Sequence, residues 1–377
     1  MPRSTKWITL SAFIAMFFLG VGTTIIGAAA RNIGLTPSQI GILLAAQNLG
    51  FMLSVIISGT LSDVYDKTKI LFIGSLVLAC SFFAFYLKNV FLLNLLVMFF
   101  IGIGMGTYEG VTDAMLLDIH KQREGLYINV NHFFVTFGCI MITLYLLFLQ
   151  MNWRRSLNQS ALAVLILALY FAFTSLKSEN KAVDRLSDRL AFLRQQKIVM
   201  ILFFATICAT GMELCLIGIM TTFLMELRGF SQATSKIGLI IFLAGIALGR
   251  LLVGFLTKRE EILNLIILFF GLSTLFLGGL FLVNAKGLNY FLVFLSGAAI
   301  SALFPLLITL GGIMYKEIPG TVLGIIKLAL PTGGVLIPIL LSLISGYGSL
   351  QLALMLFPAI ALAGFIILFT NRRAFSC

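Results

Sequence analysis

The chain has 377 residues, of which 60% are hydrophobic and 11% are charged. Soluble domains carry about a quarter charged residues, so this composition excludes a chain built mainly of water-soluble domains. The net charge of +12 would suggest nucleic acid as the partner of a soluble protein. In a membrane protein the same charge is first explained by basic loops on one side of the bilayer, and we expect no nucleic-acid partner.

Hydrophobic stretches of about 20 residues fill the chain, and each is long enough to cross a hydrocarbon core of roughly 30 Å as a helix. They predict an all-α integral membrane fold with 12 transmembrane helices in two six-helix halves. In chain order the predicted spans are 7–30, 40–61, 70–87, 92–117, 129–149, 156–176, 198–224, 234–256, 262–283, 289–313, 321–345 and 350–370.

The predicted domains are an N-terminal half over 1–176, a cytoplasmic linker over 177–197 and a C-terminal half over 198–377. In the linker, Leu186, Leu190 and Leu193 recur at helical spacing among basic residues. This pattern suits an amphipathic helix on the inner leaflet, and a simple tether is the alternative. The first apolar stretch is too long for a signal-peptide core, so we expect it to be span 1.

The basic residues are distributed unequally between alternate loops. With the N-terminus inside, seventeen of the 26 Lys and Arg residues fall on the cytoplasmic side and seven fall outside, while Arg250 and Lys327 lie within spans. Cytoplasmic loops carry the excess of positive charge in membrane proteins. We therefore expect a multi-pass protein of the bacterial inner (plasma) membrane with both termini in the cytoplasm.

One loop carries a specific motif. Between spans 2 and 3, the segment from Gly59 to Lys69 reads GTLSDVYDKTK. It resembles the loop signature of the major facilitator superfamily, with Asp66 where that family usually has glycine. We expect Gly59 to allow a close helix approach and Asp63 to face the positive N-terminal end of helix 11. A weaker second copy, GFLTKR, begins at Gly254 and lacks the acid.

Shorter segments are similar to the fucose-permease-like branch of that superfamily, which includes proton-coupled and sodium-coupled sugar carriers. They are GIGMGTYE at 102–109, NVNHFF at 129–134, GME at 211–213, GR at 249–250 and FP at 304–305. The resemblance implies proton-coupled symport of a small polar, sugar-like solute by alternating access. Span 1 lacks the acid of proton-coupled members, and both tryptophans, Trp7 and Trp153, lie at span ends. An exporter of amphipathic compounds or lipids, coupled to protons, is the alternative.

Charged side chains inside spans are costly, so each is a functional candidate. Glu109 and Asp113 share one face of span 4, and they are candidate proton-coupling residues together with Glu213, which we place in the outer half, apart from the inner charges. The predicted gate consists of Gly59, Asp63, Lys67, Arg250 and Lys327, in which Lys327 pairs with Glu109 or Asp113. Alternatively, Lys327 extends to the inner surface and Arg250 only holds span 8 to its neighbours.

Polar residues within spans 1, 4, 5, 7 and 10 are the candidate substrate-binding groups. They are Thr23, Thr24, Tyr108, Thr112, Asn131, Glu213, Ser301 and Thr309. His132, near the start of span 5, is expected to cap or join helices rather than to carry protons. Pro305, Pro331 and Pro338 should interrupt backbone hydrogen bonding in spans 10 and 11 and mark bending points.

Several other classes are disfavoured. The five cysteines and two histidines show no zinc-ligand spacing, and the sequence contains no Walker-type loop and no nucleophile motif. We therefore expect neither an enzyme nor a direct user of ATP, with no cofactor, no metal and no catalytic residue. The expected partners are a small-molecule substrate, protons or Na⁺, and membrane lipids, and the expected state is a monomer.

Overall fold

A computed structural model describes residues 5–35, 37–149, 152–176, 196–284 and 286–375, and every regular element in these ranges is helical. The first half contains α1 Thr5–Ile33, α2 Pro37–Ser62, α3 Lys67–Ala84, α4 Phe91–Ile119, α5 Glu124–Phe148 and α6 Trp153–Ala172. The second half begins with α7 Lys197–Arg228, α8 Gln232–Leu256 and α9 Ile262–Leu282. The predicted amphipathic helix of the linker lies outside the described residues.

The last three spans are each divided into two helices. They are α10a Lys286–Ser301 and α10b Leu303–Met314, α11a Pro319–Lys327 and α11b Ala329–Tyr347, and α12a Leu350–Leu354 and α12b Leu356–Thr370. Short 3₁₀ turns occupy Arg259–Glu261 and Arg372–Phe375. In the described part of the chain, 12 helical stretches are long and apolar enough to cross a membrane. The predicted number of spans is thus confirmed.

Prolines account for the divided spans. The breaks at Ala302, Leu328 and Met355 each lie three residues before a proline: Pro305, Pro331 and Pro358. Proline has no amide hydrogen, so the carbonyl four residues earlier loses its intrahelical donor. The predicted interruptions at Pro305 and Pro331 are confirmed. The predicted interruption at Pro338 is wrong, because α11b continues through this residue, and proline is tolerated inside membrane helices where neighbouring groups satisfy the freed carbonyl.

Two predicted helix ends differ from the structure in ways that affect the site. Helix α5 begins at Glu124, five residues before the predicted start. Helix α7 continues to Arg228, where Gly229 adopts a left-handed conformation with φ 66° and donates its N–H to the carbonyl of Leu224. A glycine in this conformation is a common helix end. The hydrophobic pattern ends before Gly229, so the predicted end of the helix came too early.

The chain forms two compact units. The first comprises Met1–Lys121, Asn131–Ala191 and Gly312–Ile325. Within it, α2 and α4 approach so closely that a Cβ at Gly102, Gly106 or Gly110 would clash with the backbone of α2. Glycines on this face of α4 thus allow the two helix backbones to approach closely.

The second unit comprises Gln122–Val130, Phe192–Gly311 and Ile326–Cys377. Within it, Gly211 of α7 packs against Gly333 of α11b, and Gly297 of α10a packs against the carbonyl of Phe242 in α8. Small residues at such positions allow helix backbones to approach closely in a bilayer. The boundaries predicted for the two halves stay a prediction.

Candidate functional site

The motif loop after α2 binds the start of α11a within the first unit. Asp63 is only 2% exposed. Its carboxylate accepts hydrogen bonds from the backbone N–H of Gly320 at 2.7 Å and of Thr321 at 2.8 Å, and from the Thr321 hydroxyl. These N–H groups belong to the first turn of α11a, which has no intrahelical acceptors for them. The predicted position of Asp63 is confirmed.

Burial controls the titration of Asp63. Desolvation raises the pKa of this carboxyl above its ordinary value, although the hydrogen bonds from Thr321 and Gly320 and the charge of Lys67 act in the opposite direction. Gly59 lies one turn earlier on α2, and a Cβ there would stand 2.7 Å from the carbonyl oxygen of Gly320. The expected close approach at Gly59 is also confirmed.

Asp66, the departure from the family pattern, caps α3. Its Oδ1 accepts the backbone N–H of Thr68 at 2.9 Å, and its Oδ2 accepts the Ser175 hydroxyl at 2.6 Å. Its φ is −60°, so the position does not need glycine. Lys67 is 1% exposed and forms an ion pair with Asp118 at 2.7 Å, a partner that the sequence analysis missed. Asp118 follows Lys67 by 51 residues on another helix, and no local pattern reveals such a pair.

Inside the first unit, α4 and α5 bring three titratable side chains together. Oxygen atoms of Glu109 and Asp113 and a ring nitrogen of His132 lie within 4.8 Å of one another, and all three residues are buried. Asp113 Oδ2 is 2.9 Å from His132 Nε2, and Asp113 Oδ1 accepts the Asn131 side-chain amide at 2.7 Å. We name Glu109, Asp113, Asn131 and His132 the acid–histidine cluster.

The acid–histidine cluster has the chemistry to hold a proton or a small cation. The four-residue spacing of Glu109 and Asp113 placed them on one face in the sequence analysis, and this is confirmed. His132 is an interhelix partner, as expected, but its partner is Asp113. That pairing joins two helices, so only the tertiary structure shows that a third titratable group completes the set.

In the second unit, Glu213 of α7 and Arg250 of α8 form an ion pair. Arg250 Nη2 lies 2.7 Å from Glu213 Oε1, and the side chains are 6% and 14% exposed. The prediction that Glu213 is separate from the inner charges is wrong with respect to Arg250. The reason is the reach of the arginine side chain, which the position of a residue along its helix does not include. Helix α7 has 32 residues and is about 48 Å long, and Glu213 lies about 24 Å from its start. Glu213 is therefore at mid-helix.

The predicted substrate-binding residues are distributed over both units. Thr23 is exposed and donates to the carbonyl of Leu19, and Thr24 is half-buried on the same helix. Thr112 and Asn131 hydrogen-bond each other at 3.0 Å beside the acid–histidine cluster. These positions are consistent with a polar site, and substrate binding by them stays a prediction.

Three other candidates are fully buried, with hydroxyls that bind neighbouring groups. Tyr108 donates to Ser75 at 2.7 Å, Ser301 donates to the carbonyl of Ala298 at 2.7 Å, and Thr309 donates to the carbonyl of Pro305 at 2.8 Å. In this structure they support helix packing. Lys327 is fully buried at the end of α11a, and its predicted pairing with Glu109 or Asp113 stays a prediction.

Charged clusters inside membrane spans mark candidate pathways for a solute or an ion. The family model of the major facilitator superfamily matches residues 8–330. The chain belongs to this superfamily and is one of its transporters.

Individual relatives are more distant. The glucose/mannose transporter GlcP of Bacillus subtilis (strain 168) is 20% identical over 334 residues, which cover 81% of this chain and 79% of GlcP. A structure of the E. coli fucose:proton symporter FucP superimposes with a TM-score of 0.82 at 16% identity, covering 97% of this chain and 98% of FucP. The proton:xylose symporter XylE, bound to 6-bromo-6-deoxy-D-glucose, gives 0.78 at 14% identity, with coverage of 96% and 94%. These structures show a shared fold.

Proposed function

We propose that this transporter imports a small polar, sugar-like solute together with protons by alternating access. The observation that carries the proposal is the acid–histidine cluster, because it places three buried titratable groups within 4.8 Å inside the first unit. The sugar assignment is supported by the similarity of the chain to the glucose/mannose transporter GlcP, the fucose:proton symporter FucP and the proton:xylose symporter XylE.

Glu109 is the proposed principal proton-coupling site, and Asp113 and His132 share the proton with it. Span 1 has no acid, so a coupling proton needs a second acceptor elsewhere. Asp113, already bonded to His132 and Asn131, is the nearest one. Lys67 is already paired with Asp118, which lies near the end of α4, five residues after Asp113. A cation brought to the cluster, with Lys327 as the candidate, would favour release of the proton.

Uptake into proteoliposomes tests this function. The purified protein is reconstituted, and accumulation of radiolabelled D-glucose, D-mannose, L-fucose and D-xylose is measured with and without an inward proton gradient. Wild-type protein should accumulate at least one of these sugars when the gradient is imposed. Glu109→Gln should abolish this accumulation but still exchange labelled for unlabelled sugar across the membrane, since exchange needs no net proton transfer.

The matched control is Glu260→Gln, which changes an exposed acid in the turn after α8. It should accumulate sugar as the wild type does. If Glu109→Gln retains accumulation with an unchanged dependence on the proton gradient, Glu109 is structural. Accumulation that follows a Na⁺ gradient instead would reassign the cluster to sodium.

A second function is favoured by the aromatic side chains of α1 and α5. Phe13 of α1 stacks on Phe134 of α5 with ring centroids 5.1 Å apart, and Phe133 stacks on Phe137 within α5 at 5.8 Å. An apolar aromatic surface suits the export of amphipathic compounds or lipids. Proton-driven export of a fluorescent amphiphile, with no uptake of the four sugars, would select this alternative.

The proposed topology places both termini and the central linker in the cytoplasm of a bacterial cell. It can be tested with single cysteines in a cysteine-free background. Lys88→Cys, in the loop after α3, should react with a membrane-impermeant maleimide on intact cells, whereas Glu260→Cys should react only after permeabilisation. The reverse pattern would invert the topology.

A further inference from the structure

The break in span 10 contains a backbone carbonyl that its own helix does not satisfy. Pro305 has no amide hydrogen, so the carbonyl oxygen of Ser301, four residues earlier, loses its normal donor. Hydrogen bonding resumes at the next position, where Leu306 N–H donates to Ala302 at 3.0 Å. A buried carbonyl without a donor is costly, particularly in a bilayer.

Arg250 supplies the missing hydrogen bond. Its Nε–H donates to the Ser301 carbonyl oxygen at 3.0 Å, while its Nη2 bonds Glu213 at 2.7 Å. The planar guanidinium has donors on separate edges and can serve both acceptors in one fixed orientation, which the single ammonium of a lysine cannot do in the same way. One side chain of α8 thus joins α7 to the break in span 10.

Gly249, next to Arg250 in α8, leaves room for the hydrogen bond between Arg250 and Ser301. A Cβ at Gly249 would lie 2.8 Å from the carbonyl oxygen of Ala298 and would also clash with the Ser301 hydroxyl. Glycine at 249 therefore allows α8 to lie directly against α10a at the break. Gly249 allows the close approach of the two helices, and Arg250 donates the hydrogen bond across it.

We propose that Arg250 is a positioning residue that orients the carboxylate of Glu213 for a polar solute and, through its bond to Ser301, transmits solute binding to the proline break in span 10. The solute-binding part of this proposal rests on the proposed function. Glu213 retains a partly exposed edge that can accept a solute hydroxyl. A solute hydroxyl bound at that edge shifts the carboxylate, and Arg250 moves with it because the two stay hydrogen-bonded, so solute binding changes the support of the break.

The test uses the fact that Pro305→Ala restores an amide donor to the Ser301 carbonyl. The melting temperature Tm is measured in detergent for wild type, Arg250→Gln, Pro305→Ala and the double variant. Arg250→Gln alone should lower Tm by several degrees. In the Pro305→Ala background the same change should lower it much less, because Ser301 no longer needs Arg250.

Pro338→Ala is the matched control, because Pro338 lies inside α11b and forms no break. Combined with Arg250→Gln it should give no rescue. Additive effects of Arg250→Gln and Pro305→Ala, or equal rescue by Pro338→Ala, would overturn the link between Arg250 and the break. The Tm measurement needs no solute, so it tests the link between Arg250 and the break even if the protein transports none of the sugars.

The solute part is tested in the Pro305→Ala background, where the Arg250 variants should fold. With a transported sugar as the probe, Arg250→Gln should raise the Michaelis constant for uptake on the order of tenfold, as expected for loss of a buried charged hydrogen bond. Arg250→Lys should restore part of this loss. An unchanged Michaelis constant would show that Arg250 supports the helix only. Absence of uptake of all four sugars by the wild type would instead refute the proposed function.

Discussion

Asp63 and Thr321 are joined by two hydrogen bonds although 258 positions separate them in the sequence. The carboxylate accepts both the backbone N–H, at 2.8 Å, and the side-chain hydroxyl of Thr321. Such a double contact fixes the first turn of α11a to the end of α2. An anion at this end of a helix is stabilised by the helix dipole by about 0.3–2 kcal/mol.

The first prediction concerns the charge of Asp63. Asp63→Asn keeps one oxygen acceptor but removes the charge that favours the N-terminus of α11a, so cycling between states should slow severalfold. Solute affinity should change little, because Asp63 lies in the loop after α2 and contacts α11a rather than a residue of either charged cluster. Uptake rates and equilibrium binding of the same sugar, measured on one reconstituted preparation, separate the two effects.

Thr321→Val is the companion variant, since it removes the hydroxyl and keeps the backbone bond. It should show a smaller effect of the same kind. A large loss of sugar affinity with a normal turnover rate in Asp63→Asn would exclude the gating role.

The second prediction concerns the close approach of α2 and α11a. A Cβ at Gly320 would lie 2.7 Å from Asp63 Oδ1 and would clash with Ser62 and Gly59. Gly320→Ala should therefore weaken this contact by about 1–3 kcal/mol, the usual cost of overpacking. Transport should fall by tenfold or more, and the cysteine reactivity of residues around the motif loop should rise.

Gly278→Ala is the control, because a Cβ at that position of α9 meets nothing within 4 Å. It should leave transport unchanged and keep or slightly raise Tm, since alanine favours helices over glycine. Equal losses in both variants would mean that the contact at Gly320 has no special role.

The motif loop could be predicted from the sequence because a local signature defines it. The positions of Gly59 and Asp63 follow from their spacing, and the target of Asp63 follows from the dipole of a helix N-terminus. Asp66 shows how far such reasoning extends: a carboxylate two residues before Thr68 is a good helix N-cap, so the absent glycine carries no strain.

The charged clusters were less predictable because they join different helices. Glu109 and Asp113 share a face by periodicity, but His132 reaches them only after α4 and α5 pack. The pairing of Glu213 with Arg250 was missed for another reason: the prediction compared positions along the two helices and did not include the reach of a side chain between α7 and α8. A long arginine side chain then spans the remaining distance.

The third prediction is a pH dependence at Asp66. Burial raises the pKa of this carboxyl, but the hydrogen bonds from Ser175, Thr68 and Leu176 lower it by more, so the net pKa lies below the ordinary 3.8. A depressed folded-state pKa stabilises the fold above the unfolded value, and this contribution is lost as pH falls through the folded pKa. The Tm difference between wild type and Asp66→Asn should be constant from pH 7 to about 5 and shrink below about 4. A difference that grows on acidification would contradict the assignment.

The last prediction concerns Lys327, which is fully buried at the end of α11a. A buried ammonium needs a counter-charge, and we predict that Glu109 or Asp113 supplies it when the carrier is closed on the cytoplasmic side. Lys327→Glu should then bias the carrier toward the inward-open form, and Asp113→Lys in the same chain should partly restore the balance. Distances between spin labels at the exposed positions Gln122, after α4, and Glu317, before α11a, report the bias. A pair of this kind should give a coupling of about 0.5–3 kcal/mol in the double-mutant cycle.

Strictly additive effects of the single and double charge reversals would show that another group balances the charge of Lys327. The coupling proton would then have to leave the acid–histidine cluster without the help of Lys327.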